Sequence, residues 1–230
     1  VLHGSGAALT SMPDQHLDLG DRIAAARAMN RLAHALVRHR ADPAVLRRLA
    51  RAADGLAADL EGEPVRERRM ELVSSPEFER ALEEGPAILR SEGAFVDMFE
   101  DSPVSGSANP LSMGLKVARD GEEAVGRITL QAGWQGAPDR AHGGVVAAIV
   151  DEVLGAMLPI LGVVAFTGEL TCRYVGPAPM GTELEFRARK VGEERRKLFL
   201  ECDGVGPDGT FMRAHSTFIT IDLTQFRNEG

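Results

Sequence analysis

The chain is poor in cysteine: Cys172 and Cys202 are the only two in 230 residues and stand in no Cys-x-x-Cys arrangement. That leaves neither a disulfide framework nor a thiolate zinc site to read. No charged-then-apolar leader is visible, nor an apolar run long enough to cross a bilayer, so the sequence predicts a cytoplasmic protein without a membrane span. Histidines at metal-ligand spacing are missing too. His34 and His39 are five residues apart, off a common helix face, and neither a metal nor a cofactor is expected. There is no Gly-x-Ser-x-Gly elbow and no phosphate-binding glycine loop, which removes serine-hydrolase and nucleotide-binding readings. Nor is there an excess of positive charge. The net charge is −8, and the arginine-rich first 70 residues carry 11 arginines against 9 acids with no compact helix-turn-helix pattern. Nucleic acid is therefore not an expected partner, and an anionic ligand would need a local cluster of cations.

What is present is enough apolar material, 44% of residues, for one full core and a smaller appendage. Ile23, Ala26, Met29, Ala33, Leu36 and Val37 recur at helical spacing between Leu17 and about Arg40. Asp42-Pro43 then offers an N-cap and a first-turn proline, and Val45, Leu46, Leu49, Ala53, Leu56 and Leu60 repeat the pattern up to Gly62. Residues 1–62 are thus expected to be a helical hairpin extension. Residues 63–108, broken by Ser75-Pro76 and Ser102-Pro103, read as a connector with room for one short helix, and 109–225 as the main domain.

Within that domain, Leu111 to Val117 and Ala124 to Gln131 alternate around the turn Arg119-Asp120-Gly121-Glu122, which predicts a hairpin. His142 to Leu161 is an apolar helical run ending at Pro159 and Gly162, and its pattern predicts burial on nearly all sides. Strands follow at about 163–174, 183–191, 197–205 and 210–221. Two strands, one buried helix and a long meander make an α+β fold in which the sheet wraps the helix.

Two features of the helix carry chemistry. Gly143 and Gly144 at its start allow close approach to exposed backbone N–H groups under the positive end of the helix dipole, although a tight packed junction would use glycines too. Asp151 interrupts an apolar stretch, so it must face a polar cavity, a partner or a helix neighbour. The eight residues between Gly143 and Asp151 amount to about 12 Å of rise, too far for one small group to touch both. A twofold dimer with the two helices antiparallel would bring one chain's glycines beside the other's aspartate.

The string Ala141-His142-Gly143-Gly144-Val145-Val146-Ala147-Ala148-Ile149-Val150-Asp151-Glu152, followed by Thr167, by Tyr174 with Pro177 and Pro179, and by Arg196-Lys197, resembles the hotdog-fold acyl-CoA thioesterases of the phenylacetate-type and thioesterase-superfamily-member branch over about residues 109–222. That resemblance implies a hotdog fold, hydrolysis of acyl-CoA to free acid and CoA within fatty acid metabolism, and a homodimer or a dimer of dimers (homotetramer). It implies Asp151 as nucleophile or general base, Gly143 N–H as oxyanion donor with Gly144 beside the substrate, and Thr167 orienting the carboxylate or its water. Thr167 reads equally as a plain strand residue. His142 reads as ordering the glycine turn through backbone hydrogen bonds in preference to moving protons itself. Arg173, Arg196 and Lys197 match the region that contacts CoA, though Arg195-Arg196-Lys197 also suits a solvated strand end. In many relatives an asparagine stands six residues before the histidine; this chain has Gly136 there, with Gln135 as the candidate substitute. The competing reading is a hotdog domain that senses acyl-CoA without hydrolysing it. A hotdog dehydratase ranks last, because its histidine-and-acid signature is missing.

Overall fold

The computed structural model describes residues 15–66 and 100–221. The short helix expected within the connector falls on residues 67–99, outside the described residues. Helices α1 (Gln15–Arg38) and α2 (Pro43–Glu61) come first. Asp42 caps α2 by accepting the Ala44 N–H at 2.7 Å, with Pro43 in the first turn and Gly62 as the C-cap. The two helices lie where the periodicity places them, but the apolar stripe of α2 is left uncovered. No residue of α2 is buried, and Val45, Leu46, Leu56 and Leu60 lie exposed. α1 packs elsewhere, burying Ala26 and His34 and half-burying Arg22, Ile23 and Asn30 along one stripe. Polar groups direct that docking. Asn30 Nδ2 donates to the carbonyls of Pro110 at 3.0 Å and Ser112 at 2.9 Å, and Arg22 pairs with Asp101 at 2.6 Å.

The sheet domain begins earlier than Asn109, because Val104 and Ala108 are already buried in it. Six antiparallel strands run in the order β1-β2-β4-β5-β6-β3: β1 (Lys116–Asp120), β2 (Glu123–Thr129), β3 (Ala165–Tyr174), β4 (Glu183–Glu194), β5 (Lys197–Gly206) and β6 (Gly209–Thr220). The first hairpin turns at Gly121, whose φ of 61° suits glycine. β1 is shorter than the alternation over 111–117 suggests. Asn109 Oδ1 accepts the Leu111 N–H and Ser112 Oγ the Gly114 N–H, so local side-chain turns win the backbone while Leu115 still reaches the core.

The central run splits into α3 (Gly143–Gly155) and α4 (Met157–Leu161). Pro159 has no N–H for the Gly155 carbonyl four residues back, and its ring crowds that carbonyl, which places the break at Ala156. Burial is one-sided. Val146, Ile149, Val150, Val153 and Leu154 face the sheet and are buried, whereas Val145, Ala147, Ala148, Asp151 and Gly155 are half-exposed. The sequence reading on membranes also needs correcting, since Gly143–Leu161 is a 19-residue stretch apolar enough to span a bilayer by length and composition. In the fold that stretch lies against β2, β3, β4 and β5 and contributes to their core. Opposite it, Leu184, Phe186 and Ala188 of β4, Leu198, Leu200 and Cys202 of β5 and Met212, Ala214 and Phe218 of β6 alternate inward.

β3 positions the site. Among the described strands it pairs with β6 alone, at one end of the strand order, and a bulge interrupts the pairing between Thr167 and Glu169. The extra residue, Gly168, switches which side chains point inward, so that Ala165 and Thr167 before it and Leu170, Cys172 and Tyr174 after it share the helix side. A Cβ at Gly168 would lie 3.0 Å from Ile219 Cγ1.

Candidate active site

α3 starts on a capped glycine turn. His142 is its N-cap, with Nδ1 accepting the Gly144 N–H at 3.0 Å, which requires imidazole unprotonated at Nδ1. The His142 N–H donates to the Trp134 carbonyl at 2.9 Å, and the Ala141 N–H to Ala178 at 2.9 Å. Tyr174, at the far end of β3, donates its hydroxyl to the Gly143 carbonyl at 2.7 Å. Burial first, and then neighbouring Cys172, push the Tyr174 phenol above its ordinary value, so it remains a donor through alkaline pH. Among the described residues the Gly143 N–H has no hydrogen-bond partner.

Asp151 lies two turns further along α3. Thr167 Oγ1 donates to its Oδ1 at 2.9 Å, leaving Oδ2 without a partner among the described residues. Cys172 lies close enough for the Asp151 charge to add to burial in raising the thiol above its usual value. Cys202 is pushed up to about 12, mainly by burial and then by Asp203. Neither sulfur is a thiolate near neutral pH, so the carboxylate has no thiolate competitor as nucleophile. Among the described residues no three His, Cys, Asp or Glu side chains are grouped to hold a metal ion.

The fold brings together some of the residues singled out in the sequence and separates others. Asp151 meets Thr167, and His142 meets Gly143 and Gly144. The cation candidates are split. Arg173 is exposed beside Tyr174, at the glycine end, and pairs across β3 and β6 with Arg213. Arg196 donates Nε–H to the Thr220 carbonyl at 3.0 Å, Thr220 pairs with Ala165, and Lys197 opens β5 next to it; both cations therefore sit near the Asp151 end. Eight strand residues, about 26 Å, separate the two groups within one chain. Gly136 is a place where a side chain does not fit, because a Cβ there would stand 2.8 Å from His142 Cα. Gln135 joins the turn through its backbone, as the partner of Ala141 in an isolated bridge.

Three contacts at the site had no local sequence signal. Tyr174 to Gly143 is one. The second is Glu152, next to Asp151, whose Oε1 accepts Ser102 Oγ at 2.7 Å and also Ser105 Oγ. The third is His34 on α1, whose Nδ1 accepts the Gly133 N–H at 3.0 Å across 99 residues of chain. Such pairs leave no periodic trace. Only a residue type surprising in its place, such as histidine on the packed stripe of α1, hints at them.

Residues 139–211 match the model of the thioesterase superfamily, and the helix laid on a six-stranded antiparallel sheet is a hotdog fold. Among individual relatives, the acyl-coenzyme A thioesterase THEM4 of Xenopus laevis is 29% identical over 89 residues, which are 39% of this chain and 40% of that protein. The protein of the same name from Mus musculus is 31% identical over 90 residues, 38% of this chain and 39% of its own length. The match thus spans about two fifths of either relative. A crystal structure described as a thioesterase superfamily protein superposes with a TM-score of 0.66 at 24% identity, covering 86% of this chain and 94% of the other. That likeness concerns fold alone, and its reach extends beyond the sheet domain into the N-terminal helical part.

Proposed function

We propose that this chain hydrolyses acyl-CoA thioesters to a free acid and CoA, at two composite sites of a homodimer. The observation that carries the reading is the pair of unsatisfied groups on one helix: the Gly143 N–H, left over when His142 takes its neighbour's, and Asp151 Oδ2, left over when Thr167 takes Oδ1. Thioester hydrolysis needs a donor for the carbonyl oxygen and a carboxylate for the attacking group. These two are separated by two helix turns and do not share a substrate within one chain.

The place of β3 at the end of the strand order, with no second described strand beside it, and the half-exposed face of α3 support closure by a second copy. With two β3 strands antiparallel, the Gly143 end of one chain meets Asp151 of the other. Arg173 then shares a site with the partner's Arg196 and the partner's Lys197, a spread of positive charge suited to the phosphates of CoA. In that site the Gly143 N–H holds the carbonyl oxygen as negative charge builds on it. Asp151, steadied by Thr167, either takes a proton from the attacking water and passes it to the departing CoA thiolate, or attacks the carbonyl carbon itself, expelling CoA thiolate and forming an anhydride that water then cleaves to the free acid, with the proton released by that water going to the thiolate. His142 and Gly144 keep the donor turn in shape. The relatives named as acyl-coenzyme A thioesterases favour this substrate class.

The test is free-thiol release from a panel of acyl-CoAs by the wild type and by Asp151→Asn, with sedimentation of both. The wild type is expected to turn over some members as a dimer or larger, and the variant to lose at least ~100-fold. Tight binding without turnover would replace catalysis by sensing. Full activity in a strict monomer would defeat the composite site.

A further inference from the structure

We infer that His34, on the N-terminal helix, is a positioning residue for the glycine turn of the active site, acting through the loop that holds Trp134. The inference rests on the thioesterase reading for its catalytic consequence and on geometry for the rest. His34 is 8% exposed, and its Nδ1 accepts the Gly133 N–H at 3.0 Å. Its ring meets the edge of the Trp134 indole at a centroid distance of 5.6 Å and an interplanar angle of 73°. Among the described residues the buried Trp134 Nε1–H has no acceptor, so the indole is located by packing and by its backbone, and His34 supplies part of that packing. The next residue-to-residue step is covalent, and the one after it is the 2.9 Å bond from the His142 N–H to the Trp134 carbonyl. His142 then caps the turn that leaves the Gly143 N–H free.

The glycines along this path show how little slack it has. A Cβ on Gly133 would stand 2.7 Å from His34 Nδ1, and one on Gly136 would stand 2.8 Å from His142 Cα. The turn is walled on its other side within the sheet domain by the Ala141 bond to Ala178. α1 therefore supplies the wall that the hotdog domain lacks, and a donor aimed at an oxyanion depends on placement to within about an ångström.

The experiment combines His34→Ala, His34→Asn and Gly133→Ala in the full chain, read by three measurements. Amide hydrogen exchange over residues 131–144 and the emission of Trp134, the single tryptophan, report on the loop without reference to activity. Thiol release supplies kcat and KM. His34→Ala and Gly133→Ala are expected to speed exchange in this segment, red-shift the tryptophan, and lower kcat roughly tenfold with KM little changed, as befits a donor that acts in the transition state. His34→Asn, which keeps an acceptor near the position of Nδ1, is expected to recover most of kcat. Unchanged exchange in both disrupting variants would overturn the inference, as would faster exchange with kcat and KM both intact. A wild type without turnover would instead sink the thioesterase reading. The exchange data would then still decide whether His34 holds the loop.

Discussion

The first two helices look alike in sequence and behave differently in the fold. Both repeat apolar residues every three or four positions, and α2 has the cleaner stripe, yet no residue of α2 is fully buried while α1 docks on the sheet domain. What separates them is polar. α1 brings Arg22, Asn30 and His34 to Asp101, to the carbonyls of Pro110 and Ser112, and to the Gly133 N–H. Apolar periodicity makes a helix willing to be buried, but specific donors and acceptors decide where it goes.

The largest break in this contrast should come from Ala26→Glu. Ala26 is 4% exposed, and an unpaired carboxylate at such a position costs about 3 kcal/mol or more. That cost weighs directly on the docked state, and the helix is expected to leave the sheet domain. The Trp134 emission should then shift to the red, and thermal unfolding should show a lower or a second transition. An unchanged spectrum would mean that α1 does not cover the indole in solution.

The contrast also explains what the sequence made legible. Strands β2 to β6, the apolar helix and the capped start of α2 all follow from local spacing, turn residues and Asp42-Pro43, because each is decided within a few residues. The segment 111–115 misled, since Leu111, Met113 and Leu115 alternate while Asn109 and Ser112 bend the backbone away from a strand. At the site, the glycine turn and Asp151 stand out as residue types at odds with an apolar helix. Thr167 became visible only through resemblance, and its aim at Asp151 depends on the bulge at Gly168. His34 with Gly133 and Ser102 with Glu152 were not legible, because each joins residues 99 or 50 positions apart through side-chain hydrogen bonds that leave no local pattern.

Acid tests the docking of α1 reversibly and with a smaller effect. Burial lowers the His34 pKa from its ordinary 6.5, so the unfolded or undocked chain binds the proton first as pH falls. A depressed folded-state value means stability that is whole above pH 6.5 and drains away below it, down to the folded pKa. Protonation would also turn Nδ1 from acceptor to donor against the Gly133 N–H. Wild-type α1 docking, followed by Trp134 emission, is therefore expected to weaken as pH drops through the range below 6.5, and His34→Asn to lose that dependence. Identical pH profiles for the two would assign the acid response to other groups.

The smallest expected effect lies on the other helix. Leu56 of α2 is 65% exposed, so Leu56→Glu removes little buried surface, and helix propensity is nearly conserved between the two residues. Within one chain the change should move stability by no more than about 0.5 kcal/mol, the range of surface substitutions away from special features. The comparison is sharpened by running the melt at several protein concentrations. If α2 is as solitary as its exposure indicates, Tm for Leu56→Glu tracks the wild type at every concentration. If the stripe of Leu46, Leu56 and Leu60 is covered in an assembly, the variant falls progressively below the wild type as concentration rises, because only association then rewards the leucine. The two helices would then differ in what they are buried against, the sheet domain for α1 and another surface for α2, and no longer in whether they are buried at all.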